Sequence, residues 1–372
     1  MRSLCSVSAT RRVSLLALVV LAAACGGSPR GPCDPEPPLG TLGTICGFAN
    51  PEDVEAVPAA GLLIVSEMRG GDGTGGALVA LVPPLTAPRP LWPTGEPAQD
   101  VGNGPPAGDP ACTAPPPADR FAPHGIASVQ APVRGLVHVA VVGHDAREAV
   151  ELFDLVGTGN VARLAWRGCV PLPPDEVGND VALTLAGDIV VSNFVPTMSG
   201  LRGAYHMIRS GLGRPTGDVI VWRAGEGWRH VAGTAAAGAN GVAVSPDGKT
   251  LFYAETGAGR VARVPLAGVP AGASPDYAQT GGHPDNLSWS ARKTLLAGIH
   301  TGGTEMLGCL VASPCRSAWS IVEIDPATLA TTVLLQHDGT LVGAVASAAE
   351  LDGRFYLGAV FDDRIGVWRP AE

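Results

Sequence analysis

The sequence predicts an all-β fold: a six-bladed β-propeller of four-stranded blades with a short helical lid insertion. Three observations predict it. Residues 239–255, A-N-G-V-A-V-S-P-D-G-K-T-L-F-Y-A-E, read as a β-hairpin, with alternating Val242 and Val244, a Pro246-Asp247-Gly248 turn, and a second strand through Leu251, Phe252 and Tyr253. The same grammar, a polar residue ahead of an apolar alternation, returns from Glu52, His124, Asn179 and Asp285, and from Gly343 without the polar residue. Between the hairpins, residues 149–167, 218–232, 260–267, 320–335 and 364–369 carry Val, Ile, Leu or Trp in short runs broken by Gly or Asp-Pro. Two hairpins per unit make a four-stranded sheet, and six units divide the chain beyond its leader into about 53 residues each, slightly above the ~40 to 50 of a typical blade.

Residues 1–25 stand outside that fold. Arg11 and Arg12 precede an apolar run over 13–24 that is short for a membrane span, and small residues lead into Cys25. This is an export signal. Its L-A-A-A-C ending resembles a bacterial lipoprotein signal with Cys25 as the lipidated residue, ordinary secretion with cleavage nearby being the alternative. Residues 26–39, rich in Gly and Pro, read as a tether, and 40–370 as the propeller. The expected location is periplasmic or cell-surface.

Composition narrows the partners. A net charge of −9 and only two lysines, Lys249 and Lys293, exclude a nucleic-acid binder, which needs clustered cations. No later segment is long and apolar enough to span a bilayer, so membrane attachment is expected only through the N-terminal lipid. Apart from Cys5 and Cys25 there remain Cys33, Cys46, Cys112, Cys169, Cys309 and Cys315, an even number that reads as disulfides. Proximity favours only Cys309 with Cys315. The Pro-rich residues 83–117 read as a long loop of the first blade, because proline lacks the ladder donor. Residues 199–213, L-R-G-A-Y-H-M-I-R-S-G-L-G within them, read as a short helix in the third blade, either a wall of the channel mouth or surface decoration.

The architecture assigns chemistry. The innermost strand of each blade lines the central channel, so Glu52, His124, Asn179, Asn240, Asp285 and Gly343 are expected to face one axial point. Carboxylates of Glu52 and Asp285 with amide oxygens of Asn179, Asn240 and the adjacent Asn286 form a hard-oxygen set that suits Ca²⁺ better than Zn²⁺. Asp53 and Asp180, one position deeper, suit a second cation. A serine triad is disfavoured by the absence of G-x-S-x-G.

The ordered segments P-E-D-V-E-A-V-P-A-A-G-L-L-I-V-S, F-A-P-H-G-I-A, V-G-H-D-A-R-E-A-V-E-L-F, G-N-D-V-A, A-N-G-V-A-V-S-P-D-G-K and D-N-L resemble the paraoxonase/arylesterase family of calcium-dependent lactonases. That family sits among the six-bladed propellers that include gluconolactonase and strictosidine synthase. The resemblance implies two calcium ions: a catalytic one on Glu52, Asn179, Asn240, Asp285 and Asn286, and a structural one on Asp53, Asp180 and the backbone carbonyl of Ile126. It implies that His124 and His144 activate water and that His300 belongs to the pocket. Asn193-Phe194 stands where vertebrate members have Asp-His. No cysteine follows Cys315 to complete the family's terminal disulfide, so ring closure is expected from residues 41–45 pairing with the blade that ends at Trp368.

Three functions follow as expectations. The first is a calcium-dependent hydrolase of small lactones or aryl esters. The second is a sugar-lactone hydrolase of the gluconolactonase type, against which apolar Phe194, Tyr205, Met207, Ile208 and Leu212 argue for a more lipophilic substrate. The third is a non-catalytic binding propeller stiffened by calcium.

Overall fold

A computed structural model describes residues 31–68, 75–84, 86–96, 107–131, 133, 135–309 and 315–371. The export signal with Cys25 lies outside them, as do residues 26–30 of the tether. The chain enters through β1 (Leu42–Cys46) and then lays down its first blade as β2 (Pro51–Val57), β3 (Leu62–Glu67), β4 (Ala77–Leu81) and β5 (Arg89–Trp92). The second blade comprises β6 (Ala107–Gly108), β7 (Phe121–Gln130), β8 (Leu136–Asp145), β9 (Ala149–Val156) and β10 (Arg163–Pro171). In the third, β11 (Val177–Leu183) and β12 (Ile189–Val195) are parted from β13 (Asp218–Arg223) and β14 (Gly227–His230) by helix α1 (Gly200–Gly211). The fourth holds β15 (Ala239–Val244), β16 (Thr250–Glu255), β17 (Arg260–Pro265) and β18 (Asp276–Gln279). The fifth holds β19 (His283–Trp289), β20 (Leu295–His300), β21 (Trp319–Ile324) and β22 (Thr331–His337), with the short helix α2 (Thr304–Cys309) between its second and third strands. The sixth is β23 (Val345–Leu351), β24 (Arg354–Ala359) and β25 (Arg364–Trp368), completed by β1.

The six-bladed reading therefore holds, and the packing explains it. Six hydrophobic clusters each lie between two adjacent blades, so the middle strands are covered on both faces and read as apolar runs, as in Leu62, Leu63, Ile64 and Val65. Between blades one and two, Trp92 meets Phe121 edge-on at 4.7 Å and Phe153 at 5.3 Å. Burying each such side chain contributes about 2 to 3 kcal/mol.

Closure is the expected one. β1 pairs antiparallel with β25 from Leu42 opposite Trp368 to Cys46 opposite Arg364. The stretch ahead of β1 is fastened to the propeller from Cys33 onward, unlike the tether expected there: Cys33 is bonded to Cys46, Asp34 accepts from the Thr44 N–H at 2.8 Å, and Glu36 takes both guanidinium nitrogens of Arg354 at 2.7 and 2.8 Å. Cys112–Cys169 and Cys309–Cys315 are the other disulfides, the latter as expected, and three disulfides are what an exported chain carries. Among the described residues no helix is long and apolar enough to cross a membrane.

The Pro-rich stretch is not simply a loop. It supplies β5, where Pro90 is accommodated because an edge strand needs no donor on its outer side, and β6, which runs parallel to β10 through Ala107 opposite Gly168.

Candidate functional site

The inner strands β2, β7, β11, β15, β19 and β23 neighbour one another in sequence around the channel. Each bulges at one level. Pairing with the next strand slips after Pro51, Pro123, Gly178, Ala239, Pro284 and Val345, placing Glu52, His124, Asn179, Asn240 and Asp285 on the irregular turn of backbone. A bulge re-aims a side chain that regular pleating would send to a sheet face. In the sixth blade the residue at this level is Ala346, which corrects the assignment of Gly343 to the ring; the Gly343 N–H instead donates to Asp362 at 3.0 Å. Two bulges require glycine by close approach. A Cβ on Gly125 would stand 2.3 Å from Asp180 Oδ1, and one on Gly241 would stand 2.4 Å from the Asp285 carbonyl oxygen.

Four acceptors at this level are buried without a hydrogen-bond partner: Glu52 Oε2, Asn179 Oδ1, Asn240 Oδ1 and Asn286 Oδ1. The Asn286 amide nitrogen donates to Glu52 Oε1 at 2.7 Å, which fixes the amide with its oxygen unmet. Asp285 Oδ2 meets His300 Nε2 at 2.6 Å. The donor set is hard oxygen throughout, two carboxylates and three amides, and it fits a calcium ion. Among the described residues no three His, Cys, Asp or Glu side chains form an ion-holding group, so such a site depends on its asparagines.

Asp53 and Asp180 each bind one backbone N–H of their own strand and one of the next blade. Asp53 accepts from the N–H groups of Val54 and Ile126, each at 2.8 Å, and Asp180 from Val181 at 2.7 Å and Val242 at 2.8 Å. The contact at Ile126 is thus through its N–H. Burial raises both carboxyls well above the usual range, and neighbouring negative charge, Glu52 on Asp53 and Asp53 on Asp180, adds to it.

His124 and His144 come together as the sequence suggested. His124 Nδ1 lies 3.2 Å from His144 Nε2, and His124 Nε2 lies 3.6 Å from Glu52 Oε1. Burial opposes a charge on His124, but the carboxylates of Glu52, Asp285 and Asp53 outweigh it and raise its pKa. Beyond the pair, His144 Nδ1 meets Glu148 Oε2 at 2.7 Å, a partner that sequence reasoning missed. Its spacing of four from His144 was the available signal.

Both histidines and Asn179 line a cavity of about 680 Å³ whose apolar wall includes Met68, Val177, Phe194, Pro196 and Met198. Phe194 is where the pocket was expected. Asn193 braces the third blade instead, accepting from the Val177 N–H and donating to Asp218, both at 3.3 Å. His300 does not line the cavity; its polar contact is with the ring carboxylate Asp285. The region between Phe194 and α1 forms part of the wall through Thr197, Met198 and Ser199, and α1 adds Arg202, yet Tyr205, Met207, Ile208 and Leu212 are exposed, so the apolar character of the cavity is not theirs.

No protein-family model matches the chain, and no curated protein matches its sequence. Its fold is shared with solved six-bladed propellers. A luciferin-regenerating enzyme superposes with a TM-score of 0.52 at 14% identity, covering 88% of this chain and 94% of the other. A putative gluconolactonase gives 0.51 at 14% identity, with 89% and 92% covered. A gluconolactonase from Xanthomonas campestris gives 0.51 at 16% identity, with 91% and 98% covered.

Proposed function

We propose that the protein is an exported hydrolase of lactones or aryl esters that works with calcium at the top of its channel. The observation that carries this reading is the set of four buried, unmet oxygens of Glu52, Asn179, Asn240 and Asn286 beside a histidine pair. Each unmet buried acceptor costs about 1 to 3 kcal/mol. Four together are comparable to a whole domain's stability of ~5 to 15 kcal/mol, and a hard cation is the partner that removes the cost.

Calcium held by Glu52, Asn179, Asn240, Asp285 and Asn286 would supply electrostatic stabilisation of the oxyanion that develops on the scissile carbonyl. His124 takes the proton of the attacking water, and His144 holds the His124 ring from behind. His300 orients the Asp285 carboxylate. A second ion on Asp53, Asp180 and the Ile126 carbonyl has a structural part in this proposal. Cys25 is proposed as the lipid-bearing residue.

The apolar residues of the cavity wall favour a substrate with an apolar body, while the gluconolactonase-type reading draws on the shared fold and on the polar groups of the same wall, Glu148, Asp175, Glu176 and Arg202, as partners for sugar hydroxyls. Hydrolysis of aliphatic lactones, aryl esters and gluconolactone by the purified chain, with and without chelator, tests the proposal. Turnover that chelation abolishes is the expected result. No turnover of any substrate by protein holding stoichiometric calcium would replace the hydrolase with a calcium-stiffened binding propeller.

A further inference from the structure

We infer that Glu148 is a positioning residue: it fixes the tautomers of both histidines so that His124 presents an unprotonated Nε2 to the cage. A carboxylate only accepts, so the His144 Nδ1 that meets Glu148 Oε2 at 2.7 Å carries the proton. The neutral His144 ring then offers a lone pair at Nε2. At 3.2 Å from it, His124 Nδ1 is the donor, so a His124 ring that carries one proton holds it on Nδ1 and keeps its lone pair on Nε2. That atom faces Glu52 at 3.6 Å, too far for a hydrogen bond to claim it. One carboxylate, at the wall of the same cavity, therefore sets the direction of two imidazoles.

The local structure holds the carboxylate ready for this. Glu148 belongs to the tight connection between β8 and β9, which turns at Asp145 with φ of 70° and is tied down by the Leu172 N–H donating to the Glu148 carbonyl at 3.0 Å. The adjacent Arg147 does not neutralise it, because that guanidinium is bound by Glu151 at 2.7 and 2.9 Å and by the Ala114 carbonyl oxygen at 3.0 Å. The Glu148 side chain is 39% exposed, so changing it leaves the packed interior intact.

The kinetic consequence rests on the hydrolase reading, whereas the tautomer consequence does not. Histidine-selective ¹⁵N labelling of the full chain reports which ring nitrogen carries the proton. In the parent, His144 and His124 are both expected as the Nδ1–H form. Glu148→Ala should leave His144 mixed between tautomers and lower kcat about 10-fold to 100-fold with KM nearly unchanged. Glu148→Gln keeps an acceptor oxygen and should retain the tautomers and much of the rate. Unchanged tautomers in Glu148→Ala overturn the inference whether or not the protein hydrolyses any lactone. If the parent is active and Glu148→Ala shifts the tautomers without lowering kcat, the positioning role is wrong while the hydrolase reading survives.

Discussion

Replacing Gly241 by alanine puts the ring geometry to a direct test. The added Cβ would lie 2.4 Å from the Asp285 carbonyl oxygen, 2.5 Å from the Leu287 nitrogen and 2.7 Å from the Asn286 carbonyl carbon. All three are backbone atoms of the neighbouring inner strand and cannot rotate away. Ordinary contact demands a retreat of about 1 Å, which moves the segment carrying Asp285 and Asn286, and overpacking of this kind costs about 3 kcal/mol. With an unfolding entropy of ~2.1 cal/mol/K per residue over about 340 residues, the melting temperature should drop by about 4 °C. Calcium affinity should fall with it, because two of the five oxygen donors are displaced. Gly211→Ala is the control: nothing lies within 4 Å of its added Cβ, and alanine is the better helix former by about 1 kcal/mol. Thermal melts and calcium titrations of both variants decide the matter. If Gly241→Ala melts and binds calcium as the parent does, the close approach of the fourth and fifth blades is not as described and the ring argument fails.

His124→Gln should lose activity by about 10²-fold while calcium binding and melting temperature stay at parental values, whereas Asp285→Asn should lower both, with excess calcium partly restoring them. Glu55, at the other end of β2, accepts from the Ser128 N–H at 2.9 Å and hydroxyl at 2.5 Å, and burial raises its pKa from 4.5 to about 7. A raised folded pKa stabilises fully below pH 4.5 and loses that contribution as pH rises through 7, so Glu55→Gln should be neutral at pH 4 and stabilising at pH 8 in denaturant melts. The ceiling is about 3 kcal/mol, and solvent at the channel end reduces it to about 1 kcal/mol. Replacing Cys33 and Cys46 together by serine should cost about 3 kcal/mol for a loop of this size, and an unaltered melting curve would show that β1 holds without its clasp.

Five of the six inner strands were legible because each couples a polar residue to an apolar alternation, a pattern that records both the bulge and the channel. That pattern misled at the sixth blade, where Ala346 carries no polar mark and the nearby glycine invited the assignment. The strands β5, β6 and β18 were hidden, since edge strands need little apolar alternation and tolerate Pro90. Glu55 and Glu148 were hidden for another reason: a carboxylate's role depends on which neighbour the fold brings to it. The pairings Cys33 with Cys46 and Cys112 with Cys169 lay beyond the sequence because loops of such different length leave no rule of proximity.

The pairing of β1 with β25 also orders events in time. The strand made first must wait for the strand made last, with Cys46 and Arg364 separated by 318 positions (364 − 46), so the closing contact is among the most non-local the chain can form. An exported chain emerges on the far side of the membrane with that strand leading and no sheet to join. The Cys33–Cys46 bond spans only 13 positions and needs nothing downstream, so oxidation can fold residues 33–46 back on themselves before the blades exist. What docks at the end is then a preformed latch, whose outer edge already has the Asp34 carbonyl on the Thr44 N–H and whose other edge is kept for β25.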